Sequence, residues 1–293
     1  MILILQRILD ALSVGSTYAL LALGLTLVYS VMNLINFAYG MMLVWSAFIA
    51  IVLVNASLPA PFVVLGCILF SALLSVGVGR LAFQPFLTAP PVTLLITSFG
   101  VELVLQYAAI FVFGENPRIL QVPAVFSEVI HAAGLRLPIS ELTTIVAALL
   151  VFGLLYIVLN RTRFGLQIRA AAELPDIARL MGVSPTVVLM AVFAISGAIA
   201  GLVGVLWFAQ VGAVTPRSDI DPTFKAFIAI VLGGLGNVRG AIVGGLVLGA
   251  LEVFLNAALP SGAIGYTDAI VFAAVIAILL FRPSGLVGVS AGL

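Results

Sequence analysis

Apolar runs close to bilayer length recur along this chain, and they leave it few ways to fold. They cover residues 9–31, 39–56, 61–80, 92–113, 141–160, 185–212, 240–258 and 267–281. A helix rises about 1.5 Å per residue, so roughly 20 apolar residues cross a hydrocarbon layer ~30 Å thick. Lipid offers no partner to a free N–H or C=O, and the alternation of barrel strands is absent. Each run must therefore close its own hydrogen bonds as a helix. The expected fold class is all-α, a polytopic transmembrane helical bundle of about eight spanning helices. A shorter apolar piece, 224–235, reads as a re-entrant half-helix. Hydrophobic residues make up 63% of the 293 positions and charged residues 8%, a balance that a soluble core cannot hide.

The same inventory removes whole classes of chemistry. A formal net charge of +1 gives no basic face for a phosphate backbone, so nucleic acid is not an expected partner. Cys67 is the single cysteine and lies in an apolar run, which rules out an intramolecular disulfide and argues against a metal cluster. The one lysine, Lys225, follows Phe224, so there is no Gly-Lys-Ser/Thr turn to hold the phosphates of ATP. His131 is the one histidine and stands in a loop, which leaves no Ser–His pair within the membrane and no paired-histidine metal site. The chain is not expected to be an enzyme. Among the runs, Glu102 alone sits near a centre, while Glu252 and Asp268 lie nearer the ends. Met1 to Asp10 lacks a basic stretch and a small-residue cleavage site, and is expected to be retained.

Charge then orients the bundle. Arg161, Arg163, Arg169 and Arg179 crowd into the short connection 161–184, and arginine-rich short loops stay on the cytoplasmic face. Counting outwards from that loop puts Arg80, Arg239 and Arg282 inside as well. Arg7, Arg118, Arg136, Arg217 and Lys225 fall outside, with the N-terminus. The expected organisation is one transmembrane domain over 1–293, with 161–184 as an inner loop and 114–140 as an outer loop. The outer loop carries Glu115, Pro117, Pro123, Glu128, His131 and Pro138, with a short surface helix expected over Glu128–Ala133. It is either a connector or a docking surface for an extracytoplasmic protein.

Within the inner loop, Pro175 suits a first helical position, and Glu173 and Asp176 complement the positive end of the helix dipole. Ile177, Leu180 and Met181 form an apolar stripe, and Gly182 is placed to end the helix in the left-handed conformation. A two-turn amphipathic helix follows. It either lies passively at the interface or meets a cytoplasmic partner, with Glu173, Asp176 and Arg179 as a polar rim.

Solute paths tend to run where helices break, because unwound backbone can line a cavity but cannot face lipid. Two breaks stand between apolar runs. One spans 33–40 and offers Asn33, Asn36, Phe37, Tyr39 and Gly40; the other spans 233–240 and offers Gly234, Gly236 and Asn237. Thr97 and Glu102, with Thr93 and Ser98, can add polar lining, though hydroxyls in such helices commonly bond back to their own backbone. Both breaks can equally be ordinary hairpin turns. Asp221-Pro222 is expected to cap the half-helix, and Ser184-Pro185 the span after the inner loop. Glycines at four-residue spacing, Gly197 with Gly201, Gly236 with Gly240 and Gly244, and Gly245 with Gly249, are expected to allow close helix packing.

Three blocks carry a family resemblance. They are Leu23-Gly24-Leu25-Thr26-Leu27-Val28-Tyr29 through Asn36-Phe37-Ala38-Tyr39-Gly40, Arg169 through Glu173 to Leu180-Met181-Gly182-Val183, and Lys225-Ala226-Phe227 through Gly233-Gly234-Leu235-Gly236-Asn237 with Gly240-Ala241. In these the chain resembles the permease subunits of ATP-binding-cassette importers, specifically the LivH-like branched-chain amino-acid family, over nearly its whole length. The resemblance implies a bacterial inner-membrane importer in which this subunit pairs with a second, related permease. Two cytoplasmic ATPase subunits would bind ATP and Mg, and an extracytoplasmic solute-binding protein would deliver the solute. Glu173, Pro175, Asp176, Ile177, Ala178, Arg179, Leu180, Met181 and Gly182 would match the coupling helix that rests in an ATPase groove. The chain departs from the family where Tyr39 stands in place of a histidine and Met41 in place of an acid. If that break faces the solute, selectivity can differ from leucine, isoleucine and valine. The rival expectations are a stand-alone ion-coupled carrier using Glu102, and a membrane enzyme or scaffold.

Overall fold

The apolar runs fold as helices in the computed structural model, which describes residues 2–87, 89–120, 128–132, 135–173, 175–260 and 262–287. In chain order these are α1 (Ile2–Met32), α2 (Tyr39–Asn55), α3 (Ala60–Val78), α4 (Pro91–Phe113), α5 (Ile139–Arg161), α6 (Arg163–Glu173), α7 (Pro175–Leu180), α8 (Pro185–Val211), α9 (Ile220–Gly233), α10 (Val238–Ala258) and α11 (Thr267–Phe281). A π turn and a 3-10 turn extend α3 to Phe86. Seven of the described helices are long and apolar enough to cross a membrane. An eighth, α2, has 17 residues, within the length that a thin or untilted crossing needs. The chain is a multi-pass membrane protein.

The helix boundaries differ from the sequence expectation in informative ways. The half-helix α9 starts at Ile220 instead of Phe224, so Asp221 and Pro222 lie inside its first turn and Asp219 stands at its entrance. Ser184 holds the extended conformation that opens α8, yet its hydroxyl makes no cap bond; its carbonyl accepts from Val188 N–H at 3.2 Å. In the outer loop Val129–Ala132 is a strand, β2, paired antiparallel with β3 (Leu135–Pro138), and not the start of a helix. The β-branched Val129 and Ile130 favour an extended pleat over a helical turn. Pro123 and Ala133 lie outside the described residues.

Contacts divide the chain into two compact units, each discontinuous in sequence. The first joins 1–26, 122–148 and 224–293. Here α10 lies against α1 through glycine: a side-chain carbon on Gly245 would strike the Ala19 backbone, and one on Gly249 would strike Gly15. The Gln6 side chain extends the outer hairpin like a paired residue, donating to Arg136 O at 2.9 Å and accepting from Arg136 N–H at 3.0 Å. The start of α1 therefore meets the β2–β3 hairpin at Arg136.

The second unit joins 27–121 and 149–223, and its core is α2, α3 and α8. Serines cross-link these helices through their neighbours' backbones. Ser46 donates to Gly201 O at 2.7 Å, Ser71 to Met42 O at 3.0 Å and Ser75 to Phe193 O at 2.7 Å. Gly197 and Gly201 let α8 approach α3 so closely that a Cβ at 201 would lie 2.6 Å from Cys67 O. The short strands β1 (Arg118–Ile119) and β4 (Ala213–Val214) pair antiparallel and place both connections at one end.

Candidate translocation and coupling sites

The first break is built in the second unit. After Met32 the chain turns through Asn33, at a φ of 52°, a left-handed conformation that asparagine tolerates better than most residues. Asn36 is buried; its Oδ1 accepts Ala38 N–H at 3.2 Å and its carbonyl accepts Tyr39 N–H at 3.1 Å, a local turn that opens α2. Phe37 stacks on Phe99 of α4 with ring centroids 4.4 Å apart. Gly40 presses on the entrance of α9: a Cβ there would overlap the Thr223 hydroxyl and come within 2.8 Å of Asp219 O. No side chain fits.

That approach assembles a polar group which sequence reasoning found only in part. Glu102 of α4 lies in hydrogen-bond reach of the Asp219 carboxyl. Asp219 receives the α9 entrance on its backbone instead, accepting Thr223 N–H at 3.1 Å and the Thr223 hydroxyl at 2.6 Å on its carbonyl. Its side chain is thereby spared from capping. Burial raises the Asp219 pKa, partly offset by hydrogen bonds from its own backbone and from Glu102. Asp219 Oδ1 and the Tyr39 hydroxyl are buried without a hydrogen-bond partner. Thr97 and Ser98 bond back along their own helix, to Thr93 O and Leu95 O at 2.8 Å each.

The second break, in the first unit, is a tight hinge-like turn. Gly234 and Gly236 take φ of 112° and 77°, which exclude most side chains. Asn237 caps α10, accepting Arg239 N–H at 2.9 Å and Gly240 N–H at 3.1 Å on Oδ1. Its Nδ2 donates to Val287 O at 3.2 Å. Leu286 and Val287 N–H groups donate to Leu232 O and Gly233 O, so the C-terminal segment closes the free carbonyls at the end of α9.

Lys225, a lone charge in an apolar stretch, is buried. It is 7% exposed and joins four helices of the first unit. Its Nζ donates to Tyr18 Oη at 2.8 Å and to Glu252 Oε1 at 2.9 Å, and lies 3.6 Å from Asp268 Oδ1. Tyr18 Oη in turn donates to Glu252 Oε2 at 2.6 Å. A lysine inside an apolar half-helix was the available signal, since such a charge must find acids.

The inner connection contains more helix than expected. Thr162 caps α6, its hydroxyl accepting Gly165 N–H at 3.0 Å, and Arg169 reaches back to donate to Leu159 O. Ile168 and Ala171 are buried. Helix α7 ends as its sequence requires: Gly182 has a φ of 84° and Val183 N–H donates to Ala178 O at 3.0 Å, the 6→1 bond of a Schellman end. Ala178 packs inward, while Ile177, Leu180 and Met181 are 54%, 86% and 81% exposed. The side chains of Glu173, Pro175, Asp176 and Arg179 lie outside the described residues.

Comparison with known proteins matches residues 7–280 to the family described as branched-chain amino acid transport system / permease component. The high-affinity branched-chain amino acid transport system permease protein BraD of Pseudomonas aeruginosa is 31% identical, over 97% of this chain and 95% of that protein. The corresponding LivH of Escherichia coli is 30% identical over the same shares. A probable LivH of Methanocaldococcus jannaschii is 31% identical, over 95% of this chain and 91% of its own length. No solved structure matches.

Proposed function

Because the chain belongs to the permease-component family of branched-chain amino acid transport systems, we propose that it is the membrane-spanning subunit of an ATP-driven importer. Its solutes are branched-chain amino acids or related small amphipathic molecules. Two cytoplasmic ATPase subunits bind ATP and Mg, a second related permease completes the passage, and an extracytoplasmic binding protein supplies the solute at a bacterial inner membrane. The 114–140 loop faces that supplier. The path follows Asn33, Asn36, Phe37, Tyr39, Gly40, Thr97 and Glu102, with Gly234, Gly236 and Asn237 as the second break.

One observation carries the coupling role: Ile177, Leu180 and Met181 are uncovered along and just past α7, a short helix closed by Gly182 in the left-handed conformation. Uncovered apolar groups on a helix of this kind are costly unless a partner buries them. Glu173, Pro175, Asp176, Arg179 and Gly182 frame that contact, and ATP-driven closure of the ATPases pushes on it. Family membership favours this reading over an ion-coupled carrier built on Glu102.

The test replaces Gly182 with glutamate in the assembled complex. A side chain is strained at this φ, so the helix end shifts and the added charge faces the partner. ATP-dependent uptake should fall at least tenfold while the chain still inserts and pairs. Wild-type uptake with unaltered ATPase binding would remove the coupling role. Uptake by the purified chain alone, without ATP, would revive the carrier.

A further inference from the structure

Helix α5 turns into α6 across a single residue, Thr162, and the corner is held from several directions. The Thr162 hydroxyl donates to Val158 O at 2.5 Å and accepts Gly165 N–H at 3.0 Å. Leu166 N–H donates to Thr162 O at 3.2 Å. Gly165 leaves no room for a side chain, because a Cβ there would overlap Val158 O and Leu159 O. Arg169 reaches back from α6 and donates to Leu159 O, so its guanidinium closes the end of α5. Buried Ile168 and Ala171 fix the rest of α6.

Arg161 and Arg163, on either side of Thr162, are used differently from Arg169. Both are exposed, and among the described residues no carboxylate pairs with either. Arg161 also ends a stripe. Leu150, Leu154, Ile157 and Arg161 recur at helical spacing along one face of α5. The three apolar members are 68%, 63% and 55% exposed. On a membrane-spanning helix such a stripe faces acyl chains, and an arginine at its end reaches the headgroup level. Leu166, one turn beyond Arg163, is exposed as well.

A guanidinium holds a phosphate through paired N–H donors, and at the edge of hydrocarbon it is costly without an anion. Two unpaired guanidinium groups on a braced corner, at the foot of an acyl-facing stripe, match one molecule with phosphate at one end and hydrocarbon at the other. An acidic protein surface would satisfy the arginines but would leave the stripe unused. We infer that Arg161 and Arg163 form a headgroup site for an anionic phospholipid, whose acyl chain lies along Leu150, Leu154 and Ile157. The lipid sits at the root of the connection that runs through α6 to α7.

The purified chain in dodecylmaltoside micelles is titrated with dioleoyl phosphatidylglycerol, dioleoyl phosphatidylcholine or inorganic phosphate while its thermal unfolding temperature is followed. A ligand held by the folded chain alone raises that temperature. Phosphatidylglycerol should act saturably, at a micellar fraction roughly tenfold or more below phosphatidylcholine, the worth of two arginines near a headgroup. Inorganic phosphate should not act. Arg161→Gln/Arg163→Gln should erase the preference. Arg239→Gln, which removes an exposed arginine elsewhere, should leave it within about twofold. If the double variant does not purify folded, the two single variants decide, each weakening phosphatidylglycerol and not phosphatidylcholine. Equal response to the two lipids overturns the site. So does an equal loss in Arg239→Gln, which means a general surface charge, or a response to inorganic phosphate alone, which means an anion site without lipid. An unchanged preference in the double variant also overturns it, and loss of ATPase binding by that variant in the assembled complex would then assign the arginines to that partner. The titration uses no ATP, solute or partner, so its failure leaves the importer reading untouched.

Discussion

Replacing Lys225 with methionine should be among the most damaging single changes to the body of this protein. Methionine keeps the length and volume of the stem, so the packing of α9 changes little and the loss is electrostatic. The ammonium is 7% exposed and donates at 2.8 Å to Tyr18 and at 2.9 Å to Glu252. Removing one partner of a buried ion pair costs about 3–5 kcal/mol, because the other charge is left uncompensated. Asp268 adds little, since its side chain is 60% exposed and its pairing is screened. The expected loss is therefore near the lower end, about 3 kcal/mol. Removing both charges in Lys225→Met/Glu252→Gln should return at least half of it, a coupling of about 1.5 kcal/mol or more. Equilibrium unfolding of the purified chain in mixed micelles, titrated with SDS, measures all three variants. The exposed Arg217–Glu115 pair, at 3.7 Å with side chains 68% and 70% exposed, is the control. Arg217→Ala should cost less than about 1 kcal/mol. A Lys225→Met loss no larger than that of Arg217→Ala, or a double variant no better than the worse single one, would refute the reasoning.

Two further outcomes follow from packing and topology. Gly201→Ala places a methyl 2.6 Å from Cys67 O, and should cost about 1–3 kcal/mol in the same unfolding assay. Gly153→Ala, with nothing within 4 Å, should be neutral or stabilising by about 0.5–1 kcal/mol. Equal effects would mean that the glycines do not set helix approach. Cys67 is fully buried, so the natural chain should resist a membrane-impermeant maleimide in intact cells. Glu115→Cys should be labelled from outside, and Thr162→Cys only after the cytoplasm is opened. Labelling of Thr162→Cys in intact cells would invert the orientation.

The membrane-spanning helices were legible because hydrophobic length is a one-dimensional property, and the solvent alone dictates what such a length must do. Gly182 and the end of α7 were legible for a related reason: a left-handed terminus needs only local spacing and one glycine. Helix α6 was missed because Arg163, Gln167, Arg169 and Glu173 give it no bilayer-length run. Its stability comes from the Thr162 cap and from burying Ile168 and Ala171, and amphipathic spacing alone announces that weakly. The outer hairpin was missed because a short surface helix was expected over Glu128–Ala133, while β-branched Val129 and Ile130 governed the backbone.

The site itself required knowledge of which distant residues meet. Asp219 stands near Asp221-Pro222, a strong helix-start signal, and the local pattern assigned capping to the wrong aspartate. With capping given to the Asp219 backbone through Thr223, its carboxyl became available to Glu102, 117 positions earlier in the chain. Lys225 posed the same problem in mirror image: an apolar half-helix with a lysine demands an acid, but Glu102, Glu252 and Asp268 are all eligible on spacing. Packing chose Glu252 and Asp268, because Gly245 and Gly249 bring α10 against α1 and carry Tyr18 to the same point. That choice commits the chain's one lysine to Glu252 and Asp268, while the missing side chain at Gly40 lets the entrance of α9 close against α2 beside Asp219.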